Sequence, residues 1–446
     1  MTLQTAEVIV VGAGLSGLTA AWRLGWAGKD VRVLEAAPRI GGRILTRPFA
    51  AGQTVELGAG GIGERQVRLR QLVSELGLTL ALESPPAEPA IGLQQLYGPA
   101  LAGLPWLARL QLRRLWRQLE QQAALLSPEP APEHAQAQAL DRHSLADWLG
   151  ARWLGRDARQ LGGEMAELLF AGAPQAVSLL QALLQLRRQG GAAGLAELRL
   201  GRGQQRPAAG MQAICQGLTE RLGEGLILDT PVLALEQDAR GVELLTAQGR
   251  YRAGRVVLAL PALLLVRMGF TPALAGWQDH GLRHLLPQSS VDAQLRYERP
   301  FWRERLPQIA LPLCSAGGCL LLEQPPLQAG EGALGVRLTG AAARRFDAVQ
   351  EPARRALLLD ILGGLLGEPA RTPLECLLQC WADEPFLRSA AVQWPAGGWS
   401  LQAASLRRPL GRVHFAGADL ARRWPGSLEG AVEAGEQAAE EVLALG

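Results

Sequence analysis

Three glycines near the start of the chain, Gly12, Gly14 and Gly17, narrow the folds open to it more than any other feature. They follow the β-branched run Glu7-Val8-Ile9-Val10-Val11. They precede a stretch with helical periodicity from Leu15 to Gly28 and a second run, Val31-Arg32-Val33-Leu34. Short unbroken apolar runs of this kind read as strands buried on both faces, as in a parallel sheet. The segment is therefore expected to form a strand, turn, helix and strand unit. In such a turn Gly12 allows the tight bend, Gly14 lets a pyrophosphate approach the backbone, and Gly17 lets the helix pack closely on the strand. The helix start adds free N–H groups and a dipole that favours phosphate. Glu35 ends the second strand, placed to accept hydrogen bonds from ribose hydroxyls, and its charge would repel a 2′-phosphate. This pattern predicts a dinucleotide site.

Strand patterns resume at Leu226-Ile227-Leu228, Val242-Glu243-Leu244-Leu245 and Arg255 to Leu260. The chain later returns to Arg412-Val413-His414-Phe415-Ala416-Gly417 and a last helix from about Ser427 to Leu445. Between these lie Trp106 to Leu126, an amphipathic helix expected to turn Leu107, Leu110, Leu115 and Leu119 inward and Arg109, Arg113 and Arg117 outward. A loop from Ser127 to Pro132 and another helix from Ser144 follow. The charge balance, 45 basic against 42 acidic residues, lacks the strongly basic domain of a nucleic-acid binder. With 48% hydrophobic and 20% charged residues, wholesale disorder is excluded. No apolar run reaches the roughly 18 residues of a membrane span, and no leader pattern precedes the first strand. Five cysteines do not make a disulfide framework. Cys376 and Cys380 are expected to share a helix face, Cys314 and Cys319 flank a glycine pair, and none of the five histidines stands at ligand spacing to them. Reduced thiols, no metal and a cytoplasmic location are the expectations. His414 is read as a packed core residue.

Further segments carry a resemblance. Arg39-Ile40-Gly41-Gly42-Arg43 continues from Glu35, and Glu56-Leu57-Gly58-Ala59-Gly60-Gly61 follows. Later come Ser144 to Leu149, Pro231-Val232 and Arg299-Pro300-Phe301-Trp302-Arg303. Gly411 to Asp419 and Trp424 to Glu436 close the set. In this order they resemble the flavin-containing amine oxidase (monoamine oxidase-like) superfamily over nearly the whole chain. The resemblance implies an α/β fold in which a discontinuous Rossmann-type FAD-binding domain (1–79, 205–285 and 385–446) carries an inserted α+β substrate domain (80–204 and 286–384). It implies FAD held by Gly12, Gly14, Gly17, Glu35, Arg43, Gly58, Val232 and Asp419. The last helix would aim its N-terminus, near Leu428 and Glu429, at the flavin pyrimidine, where a helix start stabilises negative charge. The position at which some relatives attach flavin covalently holds no cysteine, so FAD is expected to be non-covalent.

The reaction half departs from the family pattern. The family lysine that stands before Pro-Phe-Trp falls on Asp292, and Lys29 is the only lysine in the chain. A reversed charge there opposes negative charge building on flavin or oxygen, and Arg296, on the same strand face, is a candidate compensating cation. The two aromatic rings that frame the substrate nitrogen in relatives fall near Ser389-Ala390-Ala391 and on Ser427, neither aromatic. Trp394, Trp399 or Trp424 would supply a ring from nearby. Gln204, in Gly203-Gln204-Gln205-Arg206, is the candidate polar group for orienting substrate. The expected activity is removal of a hydride equivalent from a C–H beside an amine nitrogen onto flavin N5, giving an imine and, with oxygen as acceptor, hydrogen peroxide. The expected partners are a small amine substrate and a second copy of the chain in a homodimer. Two alternatives stay open: a carotenoid-desaturase- or protoporphyrinogen-oxidase-like dehydrogenase, and a non-catalytic FAD-binding interaction protein.

Overall fold

The computed structural model of the protein describes residues 3–50, 52–82, 105–127, 134–170, 172–200, 204–304, 310–312, 318–325, 328, 330–399 and 405–445. Gly203, Cys314 and the loop after Ser127 lie outside them. The N-terminal strand β1 (Gln4–Val11) leads through the glycine turn into helix α1 (Leu15–Trp26) and strand β2 (Val31–Leu34). β1 and β2 pair in parallel, Val8 beside Val31 and Val11 beside Leu34. The run is unbroken because each face of the sheet has its own core. Val8, Val10 and Val33 pack with α1 and the last helix, Leu428–Ala444. Ile9, Val11 and Leu34 pack in the cluster that holds the helices between residues 106 and 200. The full sheet runs in the order Gly269–Thr271, Val232–Asp238, Gly241–Thr246, Arg250–Leu258, β1, β2, Leu226–Ile227, with Val413–Phe415 also pairing to Arg250–Leu258. Its strands thus come from both ends and the middle of the chain.

The second layer is helical, chiefly Trp106–Ala124, Arg156–Phe170, Leu179–Gln189 and Ala192–Leu200. One expectation needs correcting: Leu107 and Leu110 are exposed, and the buried face is Ala108, Leu112, Leu115, Trp116, Leu119 and Ala123. Trp116 stacks near Phe170 and rotates the packed stripe away from the first leucines. Beyond this lies a five-stranded antiparallel sheet in the order Ala310–Pro312, Cys319–Gln324, Gly332–Thr339, Ser290–Tyr297, Glu375–Cys380. Its core, centred on Trp302, Phe346 and Leu358, is separate from the others. Cys376 and Cys380 stand on the edge strand of this sheet, not on a helix, because the run Glu375–Cys380 pairs along Ser290–Tyr297. Burial pushes the Cys380 thiol up to about 11 and the Cys215 thiol up to about 12. Among the described residues no helix is long and apolar enough to cross a membrane, and no cluster of His, Cys, Asp and Glu is arranged to hold a metal.

Candidate functional site

One cavity of about 470 Å³ extends from the glycine turn to the strands of the second sheet. At its first end Gly12 has φ +104°, and a Cβ there would lie 2.7 Å from the Ala259 carbonyl oxygen. A Cβ on Gly17 would lie 1.9 Å from the Gly12 carbonyl oxygen, so helix and turn touch backbone to backbone. At Gly14 the same construction meets nothing within 4 Å, and Gly14 lines the cavity. The open space is where a pyrophosphate approaches in folds of this type. Glu35, on the same wall, accepts from the Ala13 N–H at 2.6 Å and the Ala37 N–H at 2.8 Å. Its burial nevertheless raises its carboxyl above the ordinary 4.5.

Arg43, Gly58 and Val232 also line the cavity. The Arg43 guanidinium donates two hydrogen bonds of 2.7 Å each to Asp419. Asp419 is fully buried behind it, accepts a third bond from the Ala262 N–H, and is not on the cavity wall. Its placement orients Arg43. Ser427 caps the last helix by accepting from the Gly430 N–H at 3.0 Å, and Ser427 and Leu428 line the cavity, so this helix also starts at the site. Glu429 faces elsewhere. It accepts from the Arg68 and Leu69 N–H groups at the start of helix Val67–Glu75 and borders a separate cavity. An open cradle at Gly14, an acceptor at Glu35, a cation at Arg43 and two helix starts suit a dinucleotide.

At the other end stands Asp292, buried. Its carboxylate accepts from Arg337 Nε at 2.6 Å, Trp381 Nε1 at 3.0 Å and Ser290 Oγ at 3.3 Å. Arg337 also donates to the Gly58 carbonyl at 3.2 Å, tying this pair to the cofactor end. Arg337 is the cation that sequence reasoning missed. It lies directly across the antiparallel register from Asp292, on strand Gly332–Thr339. Arg296 is not the compensating group: its guanidinium turns to Glu331, 3.8 Å away, and it is not on the cavity wall. Trp381 and Phe386 are the aromatic side chains that reach the wall among the described residues. Trp394 instead packs edge-on to Trp399 in the helical core, and Trp424 borders the other cavity. Gln204 does not reach the site either; it donates to the Leu198 carbonyl and fills the space beneath Gly61. Arg199, also unforeseen, lines the cavity from helix Ala192–Leu200. His414 is fully buried in its strand with Nδ1 3.1 Å from Glu441.

Comparison with known proteins adds identity to this geometry. Residues 15–443 match the flavin containing amine oxidoreductase family. A Mycobacterium tuberculosis protein named as a flavin-containing monoamine oxidase is 32% identical over 449 residues, covering 99% of this chain and 97% of that one. A Synechocystis protein named L-amino acid dehydrogenase is 28% identical over 475 residues, covering 99% of this chain and 96% of that one. The solved cyclohexylamine oxidase from Brevibacterium oxydans superposes with a TM-score of 0.85 at 26% identity, covering 99% of both chains. The α/β architecture, the glycine turn and the match over most of the sequence agree: this chain belongs to the flavin-containing amine oxidoreductase family.

Proposed function

We propose that the protein holds FAD without a covalent bond and takes a hydride equivalent from a C–H beside an amine nitrogen. The observation that carries this reading is the continuity of one cavity, from Gly14, Glu35 and Arg43 to Asp292, Arg337 and Trp381. FAD when bound supplies the acceptor of the hydride equivalent. Within the same reading, residues 1–79, 205–285 and 385–446 form the FAD-binding domain, and 80–204 with 286–384 form the substrate domain. Cys215, Cys319, Cys376 and Cys380 do not line the cavity, which supports non-covalent attachment. The start of the last helix, capped by Ser427, favours negative charge nearby. Asp292 and Arg337 form a charge-balanced pair, so this wall gives negative charge on oxygen less help than a lone cation would. Trp381 holds Asp292 by its N–H. An imine released from the site hydrolyses in water.

The test has two readings on the purified yellow protein. Acid denaturation should release FAD into the supernatant, and primary amines added without air should bleach the bound flavin. Flavin that stays on the precipitated protein would refute non-covalent binding. Flavin that no amine bleaches, yet an apolar carbon–carbon substrate does, would replace the amine reading with the desaturase-like one.

A further inference from the structure

The arginines around the cavity are not equivalent. Arg43 is neutralised by Asp419, Arg337 by Asp292, and Arg39 faces Glu384 at 3.7 Å. Arg267 and Arg388 are exposed. Arg199 is neither paired nor exposed. It is half-buried on the cavity wall, its Nε donates to the Leu169 carbonyl at 2.9 Å, and no described carboxylate lies within ion-pair distance. That one hydrogen bond uses Nε and leaves the Nη N–H donors without a carboxylate partner among the described residues.

Burial and the neighbouring charge of Arg337 lower Arg199 to about 10, so it is still protonated at neutral pH. A half-buried cation without a counter-ion is costly. Among the described arginines of this wall it is the one withdrawn from solvent without a carboxylate partner. Arg199 comes from the helical layer, and Arg337, with Asp292, comes from the second sheet. The two layers thus both contribute charged side chains to the wall of the cavity that Asp292 lines.

We infer that Arg199 is a carboxylate-binding residue and that the substrate is an amine bearing a carboxylate, an amino acid rather than a simple monoamine. The guanidinium fork matches a carboxylate in two parallel hydrogen bonds. A dicationic amine, in contrast, would meet an uncompensated positive charge. The inference rests on the proposed amine oxidation. The C–H bond beside nitrogen breaks with its electron pair passing to FAD, and nitrogen gives up a proton. Water then adds to the C=N bond, and ammonia leaves, yielding a 2-oxo acid.

Two experiments on the flavin-loaded protein separate the anion site from the chemistry. Phenylacetate, which has no amine to oxidise, is titrated while the flavin absorbance is followed. It should perturb the spectrum saturably. Arg199→Met should weaken its binding about 10- to 100-fold, the range for losing a charge-assisted hydrogen-bonded pair. Arg199→Lys should restore part of it, which also guards against a merely misfolded Met variant. In the second experiment phenylalanine and 2-phenylethylamine, which share a skeleton, are compared as anaerobic reductants. Arg199→Met should raise the concentration of phenylalanine needed for half-maximal reduction at least about tenfold relative to that of 2-phenylethylamine, which lacks the carboxylate. Absent phenylacetate binding, or binding indifferent to Arg199→Met, overturns the anion site even if amines still bleach the flavin. Arg199-dependent phenylacetate binding with no bleaching by any amine or amino acid would leave the anion site standing and refute the amine reading.

Discussion

Asp292 shows how a single residue can be located from sequence and still be misread. Its position before Pro-Phe-Trp and its place on the cavity wall agree, but its counter-ion could not be found by scanning along the strand. Arg337 is 45 positions away in sequence and adjacent only through antiparallel register. The glycine turn was legible because its constraints are local: Gly12 meets Ala259 and Gly17 meets Gly12 through backbone atoms, whatever the surrounding side chains. Gln204 and Trp394 were chosen for chemical suitability, which says nothing of the direction a side chain takes; both turn into packing. Asp292→Asn leaves the Arg337 cation uncompensated beside the reaction end. Reoxidation of reduced flavin by oxygen should accelerate about tenfold, the rate equivalent of about 1.4 kcal/mol, and stopped-flow absorbance would read it. An unchanged rate would remove the pair from any role in the oxygen reaction. Glu35 offers a pH test. Its buried carboxyl titrates above 4.5, so the folded chain keeps this proton where the unfolded chain has lost it. The associated stability is full below about 4.5 and is lost as pH rises through the raised value. Glu35→Gln removes that slope. Measured without FAD, the variant's Tm should gain on wild type as pH rises from about 4.5 to neutral; a constant difference would contradict the assigned shift.

At the scale of elements, helix starts were readable and helix faces were less so. Ser144 with Asp147 forms a full capping box, and Ser427 caps the last helix where the sequence placed its beginning. The inward face of Trp106–Ala124 was misassigned at its first turns because leucines recur around that helix, and only contact with Phe170 and the neighbouring helices decides among them. Close helix packing, by contrast, leaves a trace in glycines. A Cβ on Gly435 would sit 2.3 Å from the Ser16 carbonyl oxygen, which locks α1 against the last helix. Gly17→Ala tests the first of these contacts. Its methyl cannot rotate away from the Gly12 carbonyl, so α1 must shift. The expected cost is about 3 kcal/mol, at the upper end for overpacking, together with loss of bound flavin. Tm and the ratio of flavin to protein absorbance would show it. A variant that keeps both would mean that the turn is looser than its geometry implies.

The whole molecule has cores of unequal independence. The helices between 106 and 200 share one apolar cluster with a face of the eight-stranded sheet, whereas the sheet spanning residues 290–380 has a cluster of its own. The sequence supports the proposal that the chain alternates between two units, since strand runs return at both ends and in the middle. It could not reveal which unit the helices would lean on, because that depends on which sheet face remains uncovered. Native-state hydrogen exchange should therefore find two opening reactions. Residues 290–380 should open at lower free energy, and the helical layer should open together with β1, β2 and Arg250–Leu258. A single opening for all amides would contradict separate cores. The central claim is chemical: bound FAD takes hydride from the carbon beside an amine nitrogen. Its most direct test is the rate of flavin bleaching, without air, by an amine substrate carrying deuterium at that carbon against the undeuterated compound. The account predicts a several-fold slower bleaching with deuterium. Equal rates in a step shown to be limited by chemistry, or no bleaching by any amine or amino acid, would contradict it.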